Sequence, residues 1–420
     1  MERRLPLAGW LLFASILAAL ASCFLHFSPL PAGILQLAVA ILLFGQVAPR
    51  VRLQSVILAA VGVVALFFAR ADSATLLAAL IDNVPMIAML AAVGMLRLVP
   101  IPSGSGPLPT GRRALWQTLF GVHWLGSVTN LSAVVLFGDR IADPSNTLER
   151  TQTLVLVRGF ALAALWSPFF VAMGVALSQA PGAKLLPLFL WGLPLSELLM
   201  AILAWQLSRT DTSGFTGYPF NFASLGGPFL LAGSVLVAHI LAPGISVVGL
   251  VTAAAPLYAL FACRHLDPFG RTAAYIRRDL PRMGPEVLLF IAAGILGVGF
   301  TALVRHNGLS LPMPASAALS ASLGLGIIVL LAAAGIHPIV GITAVGAFLG
   351  HIGLPPDLLA LSFLMGWALG IIISPISGTN LLLAGRYRIP LGRVWHWHTA
   401  YVLCAYLLCC GWLWVVARFA

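Results

Sequence analysis

The stretch Gly366-Trp367-Ala368-Leu369, followed by Ser374-Pro375 and then Ser377-Gly378-Thr379-Asn380, decides the fold because an earlier stretch echoes it. Gly159-Phe160-Ala161-Leu162 followed by Ser167-Pro168 matches at an offset of 207 residues. A second pair, Gly121-Val122-His123 with Thr129 and Gly335-Ile336-His337 with Thr343, matches at an offset of 214. Upstream of both, Met86–Leu96 resembles Val287–Gly297. Three matches in the same order imply an internal duplication. Short apolar segments broken by Gly and Pro at corresponding places of two halves point to a site at mid-membrane.

Composition sets the class. Of 420 residues, 60% are hydrophobic and 8% charged, with mean hydropathy +1.02, so most of the chain is solvated by lipid. Eleven spans are expected, at roughly 7–27, 30–48, 53–69, 74–96, 152–178, 185–206, 227–242, 245–263, 286–304, 358–385 and 396–418. Two stretches, roughly 114–138 and 316–353, are too short to cross twice and read as re-entrant hairpins. The expected fold is an all-α polytopic membrane protein with two opposed hairpins and inverted-topology repeats.

The net charge of +11 suggests the positive-inside rule rather than nucleic acid, because the charges sit in short loops. With the N-terminus in the cytoplasm, 18 of the 23 Lys and Arg, from Arg3 and Arg4 to Arg393, fall inside. Arg70, Lys184, Arg305 and Arg418 fall outside, and Arg158 falls within a span. This places the C-terminus outside and makes the two hairpins enter from opposite faces. The setting expected is a bacterial-type inner membrane. The first apolar stretch reads as a retained anchor. Cys23, Cys263, Cys404, Cys409 and Cys410 lack metal or redox spacing and read as packing residues.

The chain then divides as follows. Residues 1–73 are scaffold spans, and 74–208 form repeat one: span, cytoplasm-entering hairpin, broken span, span. Residues 209–283 hold the polar loop Thr210–Gly227, two scaffold spans and the basic segment Arg264–Arg282. That segment reads as a solvated cytoplasmic loop, with an amphipathic helix on anionic headgroups as the alternative. Residues 284–420 form repeat two with an outside-entering hairpin.

Polar residues collect at the breaks. Ser127, Thr129 and Asn130 lie in the first hairpin, Thr343 in the second, and Ser377, Gly378, Thr379 and Asn380 in the second broken span. Small hydroxyls and carboxamides there suit an anion's oxygens or a sodium ion; interhelical packing contacts are the plainer reading. Ser167-Pro168 and Ser374-Pro375 fall in mid-span, where proline breaks a helix and exposes a positive N-terminus; simple kinks are the alternative. Four such ends would favour an anion without Arg or Lys. His123 and His337 are expected at the hairpin tips, either coupling protons or fixing the tip by a backbone hydrogen bond. Asp82 and Glu197 are intramembrane acids and candidates for proton exchange. Arg158 reads as a snorkelling side chain.

At these residues the chain resembles the ion-transporter superfamily, and within it the divalent-anion:sodium symporter family. Trp124–Asn130 resembles that family's first hairpin motif, and Gly366–Asn380 its second broken span. The arsenite-export and sodium/proton-antiport branches share the architecture. The resemblance implies a homodimer working by an elevator motion. The expectation is a secondary transporter of a small, organic anion driven by sodium or protons, with no cofactor and no metal, whose partners are its substrate and the bilayer. A cation/proton antiporter using Asp82 or Glu197 is the second reading. A membrane enzyme on a lipid-linked substrate, with Asp139, Asp143 and Glu149 as its acids, is the third. No catalytic constellation is expected.

Overall fold

A computed structural model describes residues 4–99, 107–209, 211–308, 316–350 and 352–419. Arg3, Thr210 and His351, which fall within ranges read above, lie outside them. The described chain is all-helical. In order come α1 (Arg4–Leu25), α2 (Leu30–Leu43), α3 (Pro49–Phe68), α4 (Ser73–Ile81), α5 (Val84–Val93), α6 (Gly111–Thr129) and α7 (Leu131–Ile141). Then follow α8 (Arg150–Leu162), α9 (Val171–Gln179), α10 (Leu185–Ser208), α11 (Gly226–Leu241), α12 (Val247–Ala262), α13 (Pro268–Arg278) and α14 (Gly284–Asn307). The last five are α15 (Ala317–Ala333), α16 (Pro338–Leu349), α17 (Pro356–Ile373), α18 (Gly378–Tyr387) and α19 (Val394–Val416).

Local sequence sets the boundaries. Asp72, Ser246, Ser316 and Ser377 cap α4, α12, α15 and α18 by accepting a backbone N–H, and Glu149 with Gln152 forms a capping box on α8. Proline opens α2, α3, α5, α14 and α17, where its missing N–H costs nothing. Among the described residues, seven helical segments are long and apolar enough to cross a membrane, including Leu5–Leu25, Leu185–Ser208, Pro356–Tyr387 and Leu391–Val416. Five shorter apolar helices accompany them, including α15 and α16. The protein is a polytopic membrane protein.

The helices form two compact units. The first takes the chain to residue 99, Leu230 to Gly308, and Gly346–Phe348. The second takes 107–229, 316–345 and 349–419. The stretches Met86–Leu96 and Val287–Gly297 both fall in the first unit. There α3 and α14 cross at glycine: a Cβ on Gly299 would lie 2.5 Å from Gly62 O, and one on Gly62 2.7 Å from Ile295 C. The basic segment is helical over α13, which differs from the loop reading. Tyr275 and Ile276 are buried, the Tyr275 hydroxyl donates to Ala91 O at 2.9 Å, and Arg277 and Arg278 are exposed.

The second unit contains the duplication, in one register. Helices α7 and α16 start 207 residues apart, at Leu131 and Pro338, and so do α9 and α18, at Val171 and Gly378. Helices α10 and α19 end 208 apart, at Ser208 and Val416. The offset of 207 is therefore structural, and the offset of 214 is not. His337 does sit in the turn of the second hairpin. Gly335 there has φ +87° and ends α15 in a Schellman pattern, with Ile336 N donating to Leu331 O and Gly335 N to Ala332 O. His123 does not sit at a tip: it lies inside α6, and the residue in register with His337 is Asn130.

The glycine crossing gives a first test. Gly62→Ala and Gly299→Ala should each destabilise the purified protein by about 1–3 kcal/mol, because backbone, not a movable side chain, occupies the space. Gly233→Ala, with open space around it, should leave thermal unfolding in detergent within about 0.5 kcal/mol of the parent.

Candidate functional site

Both predicted breaks are present. After α8 and a 3-10 turn at Ala163–Leu165, residues 166–170 leave helical geometry and α9 starts at Val171. After α17, residues 374–377 do the same and α18 starts at Gly378. Each proline follows a serine, so the broken backbone has a hydroxyl beside it.

The first break is closed by the first hairpin. Ser167 Oγ donates to Ser127 O and accepts from Phe169 N at 3.1 Å. Asn130 Nδ2 donates to Phe169 O at 3.1 Å. Asn130 is the whole turn between α6 and α7, with φ +54° and ψ −142°, a conformation that asparagine tolerates better than most side chains. The hairpin is held at its base too. Arg386 grips Asp139 through Nε at 2.6 Å and Nη2 at 2.7 Å, and the Tyr387 hydroxyl donates to Asp139 Oδ1 at 2.7 Å.

The second break closes on itself. Asn380 Nδ2 donates to Ser374 O at 2.9 Å and lies 3.3 Å from Ile371 O and Ile372 O, so it satisfies the end of α17. Asn380 N donates to Ser377 Oγ at 3.3 Å. Ser374 Oγ, in register with Ser167, is buried and has no partner. The same holds for Thr343 Oγ1 on α16. His337 Nδ1 accepts from Ile339 N at 3.2 Å, and the ring meets Trp367 edge-on at 5.5 Å.

These four places adjoin. A Cβ on Gly378 would lie 3.9 Å from Leu131 Cδ1, which sets the second break against the first hairpin tip. One on Gly335 would lie 3.8 Å from Ile376 Cδ1, which sets the second hairpin turn against the same break. The N-termini of α7, α9, α16 and α18 are thus neighbours in one unit, with about half a positive charge on each. Ser127, Thr129, Asn130, Ser167, Thr343, Ser374, Ser377, Gly378, Thr379 and Asn380 all belong to that unit. Of these, Ser127 Oγ and Thr129 Oγ1 donate back to Trp124 O and Leu125 O of their own helix. None of the ten is ionisable.

The ionisable candidates separate. Asp82 follows α4 as its C-cap and belongs to the first unit, whereas the ten residues belong to the second. Glu197, on α10, places Oε1 3.5 Å from His123 Nε2. His123 Nδ1 is 2.9 Å from Gly159 O and must hold the proton there, so Nε2 accepts from Trp166 Nε1 at 3.1 Å. Trp166 was missed in the sequence; its only signal is its place immediately before the Ser-Pro break. Arg158 does not snorkel. It is 2% exposed, with Nε donating to His398 Nδ1 at 3.2 Å, Nη2 to Trp397 O at 2.6 Å and its guanidinium 4.3 Å over the Tyr401 ring.

The acids named for an enzyme are engaged elsewhere. Asp139 is paired as above, and Glu149 caps α8. The backbone N–H and hydroxyl of Thr147, with the Ser145 hydroxyl, hold the Asp143 carboxyl down to about 2.

Comparison with known proteins adds little. No protein-family model matches the chain, and no curated protein matches it. Among solved structures, the YdaH transporter of Alcanivorax borkumensis aligns with a TM-score of 0.47 and 13% identity, over 80% of this chain and 84% of that one.

Polar residues of the second break and the second hairpin should respond to mutation in opposite ways. Asn380→Ala should cost about 1–3 kcal/mol in thermal unfolding, because it strips a donor from three carbonyls. Ser374→Ala and Thr343→Val remove hydroxyls that pair with nothing and should leave stability unchanged or raise it by up to about 1 kcal/mol.

Proposed function

We propose that the protein is a secondary active transporter of a small, organic anion, coupled to sodium or protons. The observation that supports this reading is the meeting of four helix N-termini with two buried, unpaired hydroxyls, Ser374 and Thr343, in a unit where no fixed charge joins them. Helix ends at membrane depth bind an anion's oxygens without an Arg or Lys that would hold it too tightly for release. An unpaired hydroxyl in a buried place is a donor waiting for an acceptor, and a carboxylate supplies one.

In this reading Ser374, Thr343 and Thr379 contact the substrate. Ser167, Asn130 and Asn380 hold the broken backbone in shape and contact it less. The two repeats are inverted, the second unit carries the substrate past the first in an elevator motion, and two copies assemble as a dimer in a bacterial-type inner membrane. The N-terminus lies in the cytoplasm and the C-terminus outside, as the distribution of Lys and Arg favours. The resemblance to the divalent-anion:sodium symporter family supports the same assignment.

A cation/proton antiporter is the second reading, and the approach of Glu197 to His123 is the observation that favours it. Asp82 belongs to the first unit, and His123 and Glu197 belong to the second.

Proteoliposomes of purified protein decide between them. Dicarboxylates, tricarboxylates and inorganic oxyanions are offered with and without sodium at two pH values, and charge movement is recorded. One anion should give a current that sodium or pH controls. Ser374→Ala with Thr379→Val should cut its uptake about tenfold or more while thermal stability holds. Full uptake in that double variant removes the assignment of the site. Sodium or lithium exchange for protons with no anion current establishes the antiporter instead.

A further inference from the structure

One buried group faces a carboxyl oxygen that its present hydrogen bonds cannot accommodate, and it is His123. It is fully buried, and its Nδ1–H is committed to Gly159 O at 2.9 Å. Its Nε2 lone pair receives the Trp166 indole N–H at 3.1 Å. Glu197 Oε1, itself buried and without a hydrogen bond, points at the same nitrogen from 3.5 Å. A carboxylate facing a lone pair is repelled. One added proton removes the conflict, because Nε2 and Oε1 can share it, but Nε2 then no longer accepts from Trp166.

We propose that His123 and Glu197 form a site for a single proton, and that occupancy of this site exchanges the Trp166 contact for the Glu197 contact. The proton is shared between the Glu197 carboxyl, whose Oε1 is buried, and the fully buried imidazole. One proton is taken up and no other bond is made. Trp166 is the first residue of the first break, and Ser167, which follows it, latches that break to Ser127 O. Loss of the indole bond therefore frees the end of the latch. The use of this proton in coupling rests on the transport reading; its binding does not.

The surroundings leave the pair alone. On α10 the nearest other polar group is Ser196, whose Oγ donates to Leu162 O at 3.0 Å and lies 3.4 Å from Nε2. On α8, Arg158 turns to His398 and Trp397 O, and Arg150 lies at the helix start. On α7, Asp139 is taken by Arg386, and Arg140 follows it at the helix end. On α6 itself the charged residues, Arg112 and Arg113, lie in the first turn.

The test needs no substrate. The full-length protein in detergent is titrated from about pH 5 to about pH 9, and the tryptophan emission of Trp166→Phe is subtracted from that of the parent. A protonated imidazole quenches indole, so the difference should follow one single-proton curve. Glu197→Gln keeps the shape of a partly exposed side chain and should abolish the curve, and His123→Asn should do the same. Ser196→Ala should retain it. A flat difference in the parent, or a curve that survives Glu197→Gln, overturns the site. If the curve is present and no anion is transported, the proton site stands and the anion reading falls. If anion transport is found with a flat difference, the reverse holds.

Discussion

Everything in the second unit follows from one constraint: backbone that leaves helical geometry at membrane depth must find its hydrogen bonds inside the protein, because lipid supplies none. The helices that lead into the breaks, α8 and α17, are buried along nearly their whole length, so the carbonyls freed at their ends meet protein. The chain answers with short polar side chains placed within a few residues of each proline. Ser167 both donates and accepts across the first break, and Asn380 serves three carbonyls at the end of α17. These residues therefore read first as structure. What they leave over, the unpaired hydroxyls and the helix ends, is what remains for a ligand.

The two repeats meet that constraint differently. The first hairpin is bolted at both ends, by Ser127 O and Asn130 at the tip and by the Asp139–Arg386–Tyr387 cluster at the base. In the second hairpin α15 is held by α19, through Trp395 Nε1 on Ala333 O and the Tyr406 hydroxyl on Ser322 O. Its other arm, α16, offers one side-chain hydroxyl, Thr343, and that hydroxyl is unpaired. In register, Ser127 corresponds to Ala334 and Ser167 to Ser374, so the latch of the first repeat has its donor but not its bond in the second. An arm held by packing alone opens at lower free energy than one held by an ion pair and a buried hydrogen bond.

Much of this was legible in the sequence, and the failures are physical. The apolar runs gave the helices, and Ser-Pro in mid-span gave the breaks, because proline acts locally and needs no tertiary context. The 207-residue offset carried over because it rests on a long motif within two whole helices. The 214-residue match failed because Gly-x-His is short, and glycine serves two ends: Gly335 turns the chain at φ +87°, whereas Gly121 is a helix residue that makes room for Phe137 and Phe220. Arg158 was misread because a charged residue near a helix end usually reaches water. Its actual partners, His398 and the Trp397 carbonyl, are some 240 residues away and visible only in three dimensions. Trp166 looked like one more apolar residue until its indole N–H was given a partner.

The placement of charge separates binding from coupling. Arg158 is the cation a reader would assign to an anion, yet its bidentate edge is spent on α19, and neutral partners lower the cost of burying it. The hairpin turns and breaks are left with helix dipoles, and in the proposed reading these hold the anion without a fixed charge. The titratable pair lies on the α6–α10 side of the first break, where the Trp166 indole ties it to the residue next to Ser167. A proton placed there does not compete with an anion for the same donors. In the proposed reading it acts on the geometry of the break, and the two ligands are then linked through a backbone that must be either latched or satisfied in another way.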